Sequence, residues 1–124
     1  MGVGLIGGSL ALALKKAKFV HNIIGVGRSE VNLNIARDLK IVDEIVVNLS
    51  EAVTGADLVV LAAPLGVTRP LFAELRPILS EKTILTDVGS VKGGIVKDAE
   101  EQLGASFCRF VPGHPIAGSE AKGA

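Results

Sequence analysis

The chain opens Met1-Gly2-Val3-Gly4-Leu5-Ile6-Gly7-Gly8-Ser9. The order G-x-G-x-x-G, running straight into an apolar stretch of helical character, constrains the fold more than any other feature. Such a turn leads from a parallel strand into a helix and passes under the pyrophosphate of a dinucleotide. Gly2 permits the tight turn. Gly4 lacks a Cβ, so backbone can approach a phosphate. Gly7 lets the helix pack closely on the sheet. Leu5 and Ile6 begin that helix, whose unpaired N–H groups and positive dipole end complete the cradle. Glycine turns also occur for packing alone. Here a helix and then a suitable strand follow, which favours the dinucleotide reading.

At 124 residues the chain is long enough for one domain with a buried core, spanning 1–124. Thirteen basic residues balance thirteen acidic ones, so no basic face advertises nucleic acid. Trp and Tyr are absent, which argues against base-stacking platforms. The single cysteine, Cys108, excludes an intrachain disulfide and fits a reducing, cytoplasmic setting. The longest apolar run, from Leu58 to Val67, is too short for a membrane span and contains Pro64.

Helical patterns are expected over Leu5–Lys16, after Ser29 as an N-cap, briefly at Ser50–Val53, from Arg69-Pro70 onward, and over Lys92–Leu103. Strands are expected at Asn22–Gly27, Glu44–Val47, Asp57–Ala62, Thr83–Val88 and Ser106–Val111. The run Asp57-Leu58-Val59-Val60-Leu61-Ala62 reads as a strand covered on both faces. Cys108 reads as core between Phe107 and Phe110. Alternating strands and helices imply an α/β, doubly wound parallel sheet.

Ligands of such sheets bind at the carboxyl edge. There the topology gathers the glycine turn, Gly27-Arg28-Ser29, Ala63-Pro64, the segment Asp87–Lys92 and the loop Gly113–Glu120. Gly27 stands where NAD-binding folds usually carry an acidic residue for the ribose 2′-OH, and Arg28 follows. A guanidinium there suits a 2′-phosphate and tilts the cofactor toward NADP over NAD, although Glu30 is nearby and Arg28 also reads as a solvated surface residue. Ser90 could bond substrate or nicotinamide, or cap the helix that follows. Asp87 could orient groups in the site or serve as a turn residue. His114, framed by Gly113 and Pro115, is a candidate base for alcohol oxidation by hydride transfer. His21 falls on the opposite edge. No metal site is expected.

Four segments go beyond a generic dinucleotide fold. Gly2–Leu10 (GVGLIGGSL), Ala56–Pro64 (ADLVVLAAP), Thr86–Lys92 (TDVGSVK) and Gly113–Glu120 (GHPIAGSE) together resemble the prephenate/arogenate dehydrogenase family of tyrosine biosynthesis. The resemblance covers nearly the whole chain, and its last two segments are the specific ones. It implies oxidative decarboxylation of a small-molecule substrate, with hydride passing to NAD or NADP. It assigns His114 the proton of the ring hydroxyl. It gives Ser90 and Ser119, with His114, a part in placing substrate. It also implies a strand ahead of the glycine turn and a helical dimerising domain after the histidine loop. Only Met1 precedes Gly2 here, and the chain stops at Ala124. The expectation is therefore a fragment that cannot turn over substrate alone. Its strands at 22–27 and 57–62 should lack the neighbour between them. Competing expectations are arogenate dehydrogenase, a different 3-hydroxyacid dehydrogenase, which leaves Gly113–Glu120 unexplained, and a non-catalytic nucleotide sensor.

Overall fold

The computed structural model describes residues 1–116. Five helices and five short parallel strands alternate along them. These are α1 (Leu5–Lys16), β1 (Ile24–Gly25), α2 (Glu30–Asp38), β2 (Glu44–Ile45), α3 (Leu49–Val53), β3 (Leu58–Leu61), α4 (Thr68–Leu75), β4 (Ile84–Asp87), α5 (Lys92–Leu103) and β5 (Phe110–Val111). The architecture is the expected Rossmann-type α/β fold. Helices α1 and α5 keep the expected bounds, and the strands are shorter than their apolar runs.

The strands form two groups. β1 pairs with β2, and β3, β4 and β5 form a three-stranded sheet in that order. Met1 and Gly2 link the groups. The Met1 amino group donates to the Val60 carbonyl at 2.7 Å. Ala62 N–H donates to the Met1 carbonyl at 2.7 Å, and Gly2 N–H to the Val26 carbonyl at 2.8 Å. The expectation of no neighbour between the two strand regions is thus corrected at their carboxyl ends, where two residues make a short ladder to both sides. Below Met1 the strands diverge around an apolar groove of about 570 Å³, lined by Leu10, Leu14, Val26, Leu58 and Val60 among others.

That groove also corrects the reading of 57–62 as covered on both faces. Val59 and Leu61 are buried, whereas Leu58 stays 47% exposed. The buried face packs on α4 and α5, where Phe72, Leu75, Ile95, Ala99 and Leu103 meet Leu61, Leu85 and Phe110. Phe72 meets Phe110 edge to face at 5.3 Å. Ala99 is fully buried; its small side chain suits the close approach of α5 to its neighbours.

Two other expectations fail locally. Residues 104–109 form a 3₁₀ helix rather than a strand, so only Phe110–Val111 pairs with β4. Gly104, at φ +56°, ends α5 abruptly, and the chain winds through about two tight turns before entering the sheet. Cys108 is consequently exposed, its thiol against the Ala105 carbonyl, and is not core. Ser29 does cap α2, accepting from Asn32 N–H at 3.3 Å. In that helix Leu33 and Ala36 are buried, while Leu39, past its end, is exposed.

Candidate active site

The parallel register brings the candidate residues to one edge. Leu61 pairs with Asp87 and Thr86 with Val111, so β3, β4 and β5 end side by side. The segments that leave them carry Ala63-Pro64, Ser90 and His114 respectively. Gly2 lies beside Ala62 on one side and Val26 on the other, which places the glycine turn and Gly27-Arg28-Ser29 at the same edge. Ser119 lies outside the described residues, as does the rest of Gly113–Glu120 beyond Ile116.

The three glycines of the turn differ in what demands them. Gly2 has φ +85°, and a Cβ there would collide with the carbonyl of Ala62. A Cβ on Gly7 would collide with the Gly2 carbonyl and crowd the Ala62 side chain at 3.1 Å. Both are required by the fold. Gly4 is different: a Cβ there would meet nothing within 4 Å. Packing therefore gives no reason for a glycine at the N-cap of α1. Close approach of a ligand would give one. The first turn of α1 carries no acidic side chain, so the positive dipole end is not neutralised locally. These features fit a dinucleotide pyrophosphate. Leu5 and Ile6 stand exposed in the first turn, 87% and 50% accessible, as apolar surface beside the cradle. Arg28 is exposed immediately before the cap of α2, and Glu30 occupies the first turn of that helix.

Ser90 is exposed, and no side chain caps α5, whose N-cap position belongs to Val91. The capping alternative for Ser90 is thereby removed. His114 is also exposed.

Asp87 organises this region in a way its sequence position alone did not reveal. Its carboxylate is buried, at 2% residue exposure. Oδ2 accepts from Gly89 N–H at 2.8 Å and pairs with the Lys92 ammonium. Oδ1 accepts from Gly113 N–H at 3.2 Å. One residue earlier, the Thr86 hydroxyl donates to the Val111 carbonyl at 2.7 Å. The sequence leaves Asp87 open between a group that orients the site and a turn residue; its pairing with Lys92 and its bond from Gly113 are what the sequence did not reveal. The available signal was an Asp closing an apolar strand with a Lys five positions on, at the start of a helix, where the dipole disfavours a cation. Among the described residues, no cluster of three or more His, Cys, Asp or Glu could hold a metal.

Comparison with known proteins matches this geometry. The family described as "Prephenate dehydrogenase, nucleotide-binding domain" matches residues 10–124. Prephenate dehydrogenase of Lactococcus lactis subsp. cremoris is 39% identical over 124 residues, covering 99% of this chain and 34% of that protein. The chain thus spans about a third of that relative. Among solved structures, prephenate dehydrogenase from A. aeolicus in complex with hydroxyphenyl propionate and NAD+ superposes with a TM-score of 0.84 at 40% identity, covering 97% of this chain and 41% of that one. Synechocystis arogenate dehydrogenase gives 0.82 at 37% identity, with the same two coverages. A fold with a glycine cradle on one side of its carboxyl edge and the histidine loop on the other, matched along almost its whole length, belongs to the prephenate dehydrogenase nucleotide-binding domain family.

Proposed function

We propose that this chain is the nucleotide-binding part of an NAD(P)-dependent prephenate dehydrogenase, converting prephenate to 4-hydroxyphenylpyruvate and CO2. The observation that carries the reading is the convergence of Gly2-Val3-Gly4 and Gly113-His114 on one sheet edge, with Gly4 open to a ligand and free of any packing demand.

Gly2, Gly4 and Gly7 shape the cradle, and the amides opening α1 hold the pyrophosphate. Leu5, Ile6, Ala63 and Pro64 flank the bound dinucleotide, while Gly27, Arg28 and Ser29 take its adenosine ribose. The bound nicotinamide supplies a hydride acceptor. His114 hydrogen-bonds the ring hydroxyl of the substrate and takes its proton as hydride leaves the same carbon. Ser90 and Ser119 help place the ring. The C–C bond to the ring carboxylate then breaks, CO2 departs, and its electron pair aromatises the ring. The phenolic oxygen regains the proton, so the step releases none overall. Aromatisation provides the driving force, leaving the protein chiefly to orient the reactants and hold one base. The setting is a cytoplasmic homodimer joined through a helical domain beyond this one.

The test is turnover by the intact protein, followed as prephenate-dependent formation of reduced nucleotide, with arogenate run in parallel. His114→Asn is expected to lower kcat by at least about a hundredfold while leaving nucleotide affinity within threefold. Loss of nucleotide binding together with activity would point to a fold defect, and parental kcat would remove His114 from the chemistry. A protein that binds nucleotide but oxidises neither substrate would be a sensor.

A further inference from the structure

We propose that Asp87 is the positioning residue of this site: one buried carboxylate sets the Ser90 turn through one oxygen and the His114 loop through the other. The inference rests on the proposed function for what the loops do, and on geometry for how they are held.

A turn residue at a strand end needs only the local bond, and Asp87 has it in Gly89 N–H, two residues on. The second bond has no local explanation. Gly113 lies 26 residues away in sequence, on the segment leaving β5, and its N–H points at the other oxygen. Gly89 immediately precedes Ser90, and Gly113 immediately precedes His114. The two predicted reaction groups therefore hang one residue from the two arms of a single rigid acceptor.

Three features show that the arrangement is built. First, a carboxylate this buried is strongly destabilising unless its charge is met. Lys92 meets it from the first residue of α5, where the helix dipole gives a lysine no support. Second, the approach of the His114 loop depends on a missing side chain. A Cβ on Gly113 would lie 2.5 Å from the Asp87 carbonyl oxygen, so only glycine lets the N–H reach Oδ1. Third, the Thr86 hydroxyl ties the neighbouring Val111 carbonyl, so Asp87 acts on a strand end already held in register.

Asn at position 87 keeps the size of the side chain but replaces one acceptor oxygen by an NH2 group, so one arm must be released. In the intact protein, Asp87→Asn is expected to lower kcat about a hundredfold, the scale of a misplaced reacting group, with nucleotide Kd within threefold of the parent. In the nucleotide-bound protein, the NMR resonance of the His114 Cε1–H should move toward that of a histidine in an unstructured peptide, while that of His21 stays put. Parental kcat with an unmoved His114 signal overturns the proposal. So does a parallel collapse of kcat and nucleotide affinity, which marks a residue needed only for folding. Should Asp87→Asn fail to fold, Gly113→Ala breaks the Oδ1 arm alone and leaves Gly89 and Lys92 on Asp87. It must reproduce the kcat loss and the His114 shift, and parental values overturn the proposal. If the parent protein shows no prephenate turnover, the proposed function has failed, and the His114 resonance still decides whether Asp87 holds the loop.

Discussion

Gly2 sits against the carbonyl of Ala62 at φ +85°, with no room for a side chain between them. Gly4, two residues on, faces open space. Gly2, like Gly7, is therefore demanded by the fold, whereas nothing in the fold demands a glycine at position 4. Gly2→Ala should cost about 2 kcal/mol or more, from left-handed backbone strain and the clash with Ala62. Its thermal midpoint should fall, and nucleotide binding should weaken with it. Gly4→Ala should leave the midpoint nearly unchanged, because nothing in the fold resists the methyl group. Its nucleotide affinity should nonetheless drop at least about tenfold, since the methyl occupies the path of the pyrophosphate. Calorimetry and nucleotide titration of the two variants separate these effects. Equal affinity in Gly4→Ala and parent would remove the pyrophosphate from this turn.

Much of this arrangement was legible in the sequence, for physical reasons that can be named. Helices α1 and α5 kept their bounds because dedicated residues start or stop them: glycine opens α1, and Gly104 leaves α5 at positive φ. The carboxyl-edge convergence followed from parallel topology alone, and pairing of Leu61 with Asp87 and Thr86 with Val111 bears it out. What local pattern could not supply was the long-range term. Ser106–Arg109 has strand-like alternation, yet the sheet accepts only Phe110 and Val111, so the preceding residues wind and Cys108 is left outside. Leu58 has the apolarity of a doubly covered strand residue, but among the described residues its groove side stays half open. Asp87 stayed open between an orienting group and a turn residue because its decisive partner, Gly113, lies past the end of another strand.

The Lys15–Asp43 pair supplies a pH-dependent term far from the active edge. Lys15 Nζ lies 2.6 Å from Asp43 Oδ1, and Asp43 Oδ2 accepts from Ile23 N–H at 2.8 Å. The hydrogen bond from Lys15 is the main force holding the Asp43 carboxyl below its ordinary value of 3.8; burial opposes it, and the bond from Ile23 and the Lys15 charge add to the lowering. The unfolded chain thus binds the proton at higher pH than the folded one. Stability from this group is complete above about pH 4 and is lost as pH falls through the lowered folded value. Both side chains are substantially solvated, so the term is worth under about 1 kcal/mol. Lys15→Met should lower the urea midpoint at pH 7, and the gap from the parent should narrow below pH ~4 and in 1 M salt at about that pH 7 reference. A residue of the gap should survive acid, because Lys15 also donates to the Lys40 carbonyl at 2.9 Å, a bond to a group that does not titrate. A gap constant across pH would show that the ion pair contributes nothing.

The proposed cofactor choice between NAD and NADP rests on the two residues flanking the cap of α2. Arg28 is exposed at the end of the segment leaving β1, and Glu30 stands in the first turn of α2, on the far side of Ser29. A ribose 2′-phosphate carries negative charge and several acceptor oxygens, which a guanidinium can meet with paired donors. A free 2′-OH gains little from Arg28 and can donate to a carboxylate such as Glu30. The two substitutions should therefore move the two nucleotides in opposite senses. Arg28→Ala should weaken NADP binding by about tenfold or more, the scale of a lost charge-assisted pair, and leave NAD within about twofold. Raising the salt concentration should shrink the NADP difference, because this contact lies at the surface. Glu30→Gln should leave NADP unchanged or tighter, by removing a like charge, and weaken NAD if its carboxylate takes the 2′-OH. Isothermal titration of both variants with both nucleotides reads all four affinities. If Arg28→Ala weakens NAD and NADP alike, the guanidinium serves the phosphates common to both, and the preference must be set by residues outside this flank.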